Sequence, residues 1–183
     1  KGIWTSREID DMDLEEAIRT AIDYESQVHK TYREAMDQTS DAAGRRVFEV
    51  LCNEEKGHLK YLRARLDEWR TNGEITVAKL ETTIPDEEAI AQGLERLREK
   101  MAAPDSGKHD TELKLLDKAL QAEVETSEFY KRMVTELDSN GQKMFERFVE
   151  IEEGHRAIVQ AEIDCLNGTG IWFDTMEFSL EAE

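Results

Sequence analysis

Glu55-Lys56-Gly57-His58 and Glu152-Glu153-Gly154-His155 are two versions of one tetrad, 97 positions apart in a chain of 183 residues. On a helix, positions i and i+3 share a face, so each tetrad aims a carboxylate and an imidazole in the same direction. The flanking residues decide whether that face is wet or dry. Phe48, Leu51, Leu62, Leu66 and Trp69 surround the first tetrad at three- and four-residue spacing, and Phe145, Phe148, Val159 and Leu166 surround the second. Both tetrads therefore lie inside the apolar stripe of a long helix, and each is half of a possible metal site.

Two further long helices follow from the same spacing. Asp13-Leu14-Glu15-Glu16 reads as an N-cap with an acidic first turn. Ile18, Ile22, Glu25, His29, Tyr32 and Met36 then advance as one inward stripe, with Glu25 its only acid. Gln38 to Gly44 supplies a polar turn, and Asn72-Gly73 signals the end of the second helix. Residues 74–85 are expected to be extended, ending at Pro85, and Asp86 to Met101 forms a shorter helix stopped by Pro104-Asp105-Ser106-Gly107. A third long helix runs from about Asp110 to Leu137 with Leu116, Leu120, Glu123, Ser127, Tyr130 and Val134 on its stripe. After Asp138–Gly141 the fourth carries Glu152 and His155 and stops at Gly168 and Gly170. An arm, residues 1–12 with Ile3, Trp4 and Ile9, precedes the helices, and an apolar tail starting Ile171-Trp172-Phe173 follows them. The tail is expected to pack on its own bundle or on a second copy.

The two halves repeat. An offset of 97 pairs Asp41 with Asp138, Gly44 with Gly141, Phe48 with Phe145, Glu55 with Glu152 and His58 with His155. One deletion in the turn changes the offset to 98 upstream and pairs Ala21 with Ala119, Glu25 with Glu123 and Tyr32 with Tyr130. The expected architecture is all-α, a four-helix bundle of two repeated hairpins (13–72 and 110–167), with a connection bearing a short helix (73–109) and a tail (168–183), in one domain spanning 1–183. The repeat also chooses among Glu123, Glu125 and Glu128. At about 100° per residue, Glu125 lies roughly 200° and Glu128 roughly 140° around the helix from Glu123, so Glu123 is the stripe residue.

Composition narrows the partners. With 24 Lys+Arg against 42 Asp+Glu the formal charge is −18, which excludes nucleic acid and anionic membrane as natural partners and favours cations. The two cysteines, Cys52 and Cys165, form no Cys-x-x-Cys pair, which excludes a zinc ribbon or rubredoxin-type site within these residues and fits a reducing cytoplasm. No stretch reaches the ~20 apolar residues of a membrane span. The chain opens on Lys1, as a trimmed start would.

Twofold-related hairpins bring Glu25, Glu55, His58, Glu123, Glu152 and His155 to one level of the core. That is the arrangement of carboxylate-bridged dinuclear bundles, with one Glu from each of two helices and Glu-x-x-His from each of the others. Two divalent cations would cancel the charge of four buried carboxylates. Oxygen ligands with one imidazole per ion suit iron or manganese, with zinc a redox-inert substitute. Tyr32 and Tyr130 are placed to hydrogen-bond ligand carboxylates. His29, whose repeat partner is Ser127, reads as a hydrogen-bonded core residue. Glu162, opposite Arg65 in the repeat, reads as a salt-bridged or solvated end residue. Gly57 and Gly154 read as points where a neighbouring helix approaches closely.

These residues resemble the rubrerythrin and ferritin-like di-iron family. The resemblance runs from about Asp13 to Leu166, interrupted at 74–108, and is strongest in Glu25-Ser-Gln-x4-Tyr32 and the two Glu-x-x-His pairs. It implies a ferritin-like fold, the six residues above as ligands of two iron ions, Glu55 and Glu152 bridging, and reduction of hydrogen peroxide or dioxygen as Fe(II) is oxidised. Two departures stand out. The cysteines of a rubredoxin domain are missing from these 183 residues, so electrons are expected from a separate donor protein. Rubrerythrins also carry an additional Glu one turn after the third-helix ligand, where this chain has Thr126, so the set is closer to ferroxidase-type sites. Iron storage or buffering and a metal-free helical interaction module are the competing readings, and a homodimer or larger homo-oligomer is expected.

Overall fold

The computed structural model describes residues 12–100 and 109–173, and among them there are five helices and no strand: α1 Leu14–Gln38, α2 Ala42–Asn72, α3 Glu87–Lys100, α4 Asp110–Glu136 and α5 Ser139–Thr169. The connections 39–41 and 137–138 are so short that α1 and α2, and α4 and α5, must run antiparallel as hairpins. α1 packs along α4 to join the hairpins, and α3 lies against α5. This is a ferritin-like helical bundle with the expected short helix in the long connection. No described helix is long and apolar enough to cross a membrane.

Local chemistry sets the ends. The Asp13 carboxylate accepts from Glu16 N at 2.9 Å, and Asp41 accepts from Ala43 N and Gly44 N at 2.8 and 3.0 Å, satisfying amide donors that have no intrahelical partner. Gly73 and Gly170 close α2 and α5 at φ 73° and 72°, the left-handed cap that glycine adopts without strain. The interhelix turns are tighter than expected: Gly44 and Gly141 lie inside the first turns of α2 and α5, because Asp41 and Asp138 are already the N-caps. The Asp138 side chain makes no capping bond.

Residues 73–86 run extended over the bundle and bury Ile75, Leu80 and Ile84. Their carbonyls are tied down by side chains of the helices beneath. Asn140 donates to Ile75 O at 2.8 Å, Tyr61 to Ala78 O at 3.0 Å and Arg147 to Leu80 O at 3.0 Å. At the far end of the chain Trp172 and Phe173 are buried, while Ile171 is exposed. Trp172 meets Phe48 edge-on at 5.6 Å and covers Gly44, and Phe173 N donates to Glu162 Oε2 at 2.7 Å. The described part of the tail thus packs on its own bundle; the arm with Ile3, Trp4 and Ile9 and the remainder of the tail lie outside the described residues.

Three expectations need correction. The inward stripe of α1 is Ile18, Ala21, Glu25, Val28, Tyr32 and Ala35, with Ile22, His29 and Met36 half-buried at its edge; the small alanines let α1 approach its neighbours and push the larger residues to the flank. Glu162 is fully buried and holds the returning tail. The glycines also differ from their reading. A Cβ at Gly154 would meet Pro85 O at 3.4 Å, so the extended connection and not a helix lies over it, while a Cβ at Gly57 would meet nothing within 4 Å.

Candidate metal centre

The core is two apolar clusters separated by one polar layer. On one side lie Val28, Phe48, Leu51, Leu116, Val159 and Leu166; on the other lie Ile18, Leu62, Met133, Phe145 and Phe148. Between them each long helix contributes its polar stripe residues: Glu25 from α1, Glu55 and His58 from α2, Glu123 from α4, Glu152 and His155 from α5. All six are at most 1% exposed. Four carboxylates with no access to water need compensation from something other than solvent.

The six converge as the repeat requires. His58 Nδ1 lies 3.2 Å from Glu25 Oε2, 3.1 Å from Glu55 Oε2 and 3.7 Å from Glu152 Oε1. His155 Nδ1 lies 3.0 Å from Glu55 Oε1 and 3.8 Å from Glu123 Oε1. The imidazoles stack with centroids 5.2 Å apart and planes 13° from parallel. One oxygen of Glu55 therefore faces each histidine. Three three-residue groups each offer ligand atoms within 4.8 Å of one another: Glu25, His58 and Glu152; Glu55, Glu123 and His155, the two that follow the repeat; and Glu54, His58 and His155. Each half-site thus borrows the tetrad carboxylate of the other repeat.

Tyr32 and Tyr130 approach from opposite apolar clusters and also cross between repeats. The Tyr32 hydroxyl donates to Glu123 Oε1, and that of Tyr130 donates to Glu25 Oε1. Burial, and then the facing carboxylates, raise both phenols well above the ordinary range, so they stay protonated and act as donors. Thr126, at the position of the additional family Glu, turns its hydroxyl to Ala122 O at 2.9 Å and leaves the set at four carboxylates.

Without metal the cluster shares protons unevenly. Burial and the neighbouring Glu55 push Glu25 up to about 8. Burial, with Glu123 and Glu25 close by, raises Glu152 well above the carboxylate range, and burial and Glu55 raise Glu123. Glu55 itself is held well below its usual range, because His58, the Glu25 hydroxyl and His155 outweigh the burial that would raise it. Burial opposes the charging of His155, yet Glu54 and Glu55 bring it to about 9.

Glu54 is the residue the sequence reading missed. It sits about 100° around α2 from Glu55, off the stripe, and its side chain is 10% exposed. Its Oε2 lies 3.9 Å from His155 Nε2, an ion-pair separation longer than a hydrogen bond. Thr83, in the extended connection, donates to Glu54 Oε1 from its amide at 3.1 Å and its hydroxyl at 2.7 Å. Burial opposes ionisation here too, but His155, Thr82 and Thr83 together bring the Glu54 carboxyl down to about 2. The signal in the sequence was its contiguity with Glu55; what gives it a partner is a segment 29 positions away.

The donor set fits a divalent pair. Buried polar atoms ordinarily find hydrogen-bond partners, whereas Glu55 Oε1, Glu123 Oε2, both Glu152 oxygens and His155 Nδ1 have none. Glu55 Oε1 and His155 Nδ1 are 3.0 Å apart without hydrogen-bond alignment, the disposition of two groups aimed at a common third. His29 belongs to none of the three groups and is not the hydrogen-bonded core residue expected: it is half-buried at the edge of α1 and its Nε2 has no hydrogen-bond partner. Cys52 and Cys165 are buried and form no disulfide among the described residues.

Comparison with curated proteins and with solved structures gives no significant match. Residues 5–66 match the family model described as Rubrerythrin, a stretch that takes in α1 and most of α2, including Glu25, Glu55 and His58. Together with the all-helical bundle and its carboxylate–histidine layer, that match, over about a third of the chain, is consistent with a rubrerythrin/ferritin-like assignment.

Proposed function

We propose that this protein is a non-haem di-iron oxidoreductase that reduces hydrogen peroxide or dioxygen, with Glu25, Glu55, His58, Glu123, Glu152 and His155 as metal ligands. The observation that carries the reading is the dry polar layer: carboxylate oxygens and an imidazole nitrogen without hydrogen-bond partners, converging from four helices between two apolar clusters. A metal-free interaction module has no use for such a layer, since well-packed apolar residues would be at least as stable there. Iron or manganese suits the hard oxygen donors.

When bound, two Fe(II) ions supply one electron each, which with two protons reduce one H₂O₂ to two waters. The chain's own residues set the conditions for that step. Tyr32 and Tyr130 fix one oxygen of Glu123 and of Glu25, leaving the second oxygen of each carboxylate for the metal side. The apolar clusters exclude bulk water and preserve the strength of each interaction in the layer. Electrons return from a donor outside these 183 residues, because Cys52 and Cys165 are each buried within the bundle and too few for an iron–sulfur site.

The test is anaerobic Fe(II) loading, metal analysis, then stopped-flow mixing with H₂O₂ or O₂. Two irons per chain and an absorbance change on mixing are expected, with turnover of peroxide once a reductant is added. Iron or manganese content no higher than that of Glu55→Ala and His155→Ala variants would sink the proposal. Oxidation followed by a mineral core in a large assembly, without peroxide turnover, would favour iron storage.

A further inference from the structure

We infer that Glu54 is a positioning residue for His155 and that it makes the two halves of the metal centre unequal, the half containing His155 holding its divalent ion more tightly. The inference rests on the dinuclear reading above and concerns a place where the repeat breaks its own symmetry. The offset that pairs Glu55 with Glu152 and His58 with His155 pairs Glu54 with Ile151. The layer therefore gains one carboxylate that the repeat does not duplicate, and it stands nearer His155 than His58.

The surroundings differ accordingly. Behind His155, Glu54 Oε2 faces Nε2 at 3.9 Å, the nitrogen opposite the one that faces Glu55 and Glu123. Thr83 holds that carboxylate with two hydrogen bonds, so its direction is set by the extended connection. Beside His58 stands Phe148, edge-on with centroids 5.4 Å apart; neither Nε2 has a hydrogen-bond partner, and Glu54 comes within 4.8 Å of a His58 nitrogen as well, but only its approach to His155 falls within ion-pair range. Ile151 is buried at 2% exposure.

A carboxylate behind a ligating imidazole fixes the tautomer with the proton on the far nitrogen, holds the ring's orientation and raises the basicity of the near nitrogen. Loss of such a partner typically weakens metal binding 10–100-fold. Glu54 gives this help chiefly to His155, the imidazole it stands nearer. The order of filling follows: the first ion goes to Glu55, Glu123 and His155, and the second to Glu25, His58 and Glu152.

The test is titration of the metal-free full chain with Mn(II), following free Mn(II) by electron paramagnetic resonance. The wild type is expected to bind two ions in steps at least about tenfold apart, and Glu54→Gln to weaken the tighter step by about 10–100-fold while the weaker step holds. In a His155→Ala background Glu54→Gln should have no further effect, a pattern a general structural role would not give. Thr83→Val keeps the carboxylate but loosens it and should weaken the same step by less; this reads the effect if Glu54→Gln loses helicity. Equal steps in the wild type, equal weakening of both steps, or persistence of the effect without His155 would overturn the inequality. Loss of one equivalent outright in Glu54→Gln would also overturn it, by making Glu54 a ligand. Failure of the wild type to bind two ions would instead overturn the dinuclear reading itself.

Discussion

At the scale of single residues, the buried carboxylate–histidine layer opposes the stability of the protein that carries it. Four carboxylates at no more than 1% exposure are costly to bury without cations, and neutral replacements of similar shape often cost nothing. Glu152→Gln is the cleanest case, because burial and its acidic neighbours already raise that carboxyl well above the carboxylate range. Its metal-free melting temperature should equal or exceed that of the wild type, while uptake of two Mn(II) per chain fails; thermal unfolding in chelator and metal analysis read the two halves. A large drop in metal-free stability would show instead that the carboxylate is needed as an anion. Tyr32→Phe and Tyr130→Phe should behave alike, since each removes one buried hydrogen bond to a carboxylate across the repeat. Each should cost about 1–3 kcal/mol, or several degrees for a domain of this size, and an effect confined to one of them would break the twofold argument. All six layer residues were legible because the helical period and the repeat supply two independent constraints on the same positions. Glu54 was not, because its meaning depends on Thr83, and no local period says where an irregular segment will lie.

At the scale of elements, two glycines of one helix make opposite predictions. Gly57 lies inside α2 with open space where a Cβ would go, so Gly57→Ala should stabilise by roughly 0.5–1 kcal/mol through helix propensity alone. Gly44 lies in the first turn of the same helix, where the Trp172 ring occupies the Cβ position. Gly44→Ala must displace that ring from Phe48 and should destabilise, as should Trp172→Ala, by roughly 3 kcal/mol or more for a buried aromatic. Urea unfolding of the three variants checks the signs, and a stabilising Gly44→Ala would mean that the tail does not pack where it is seen. The helices themselves were legible to within a few residues, since Asp13, Gly73 and Pro85 are chemical punctuation that acts locally. The α1 stripe was placed one position off at its edge, because Ala21 and Ala35 look unremarkable as residues and matter only through the close approach they permit.

At the scale of the whole molecule, protons and metal ions compete for one buried layer, so stability must depend on pH in a way that metal reverses. Glu25 titrates at about 8 in the metal-free fold against 4.5 as an ordinary carboxyl, so the folded state holds a proton the unfolded chain has released, and stability falls as pH rises from 4.5 through 8. His155 titrates at about 9 against 6.5; its contribution is complete below 6.5 and is lost as pH rises through 9. Glu54, at about 2, contributes in the opposite sense, fully above 4.5 and vanishing as pH falls toward 2. Between pH 6.5 and 9 Glu25 and His155 both act downward, His58 and Glu152, each held well above its ordinary range, act in the same sense, and ordinary surface carboxylates have finished titrating. The metal-free melting temperature should therefore decline across that window. Divalent ions must displace the same protons, so their affinity should rise over the same interval, and mass action converts affinity into stability. The gap between melting temperatures measured with excess Mn(II) and with chelator should accordingly widen from pH 6.5 to 9, and the proton release on Mn(II) binding should be measurable in weakly buffered solution. A gap that stays constant, with no protons released, would mean that the layer is already ionised without metal, and the compensation that explains four buried carboxylates would have to come from somewhere other than protons and cations.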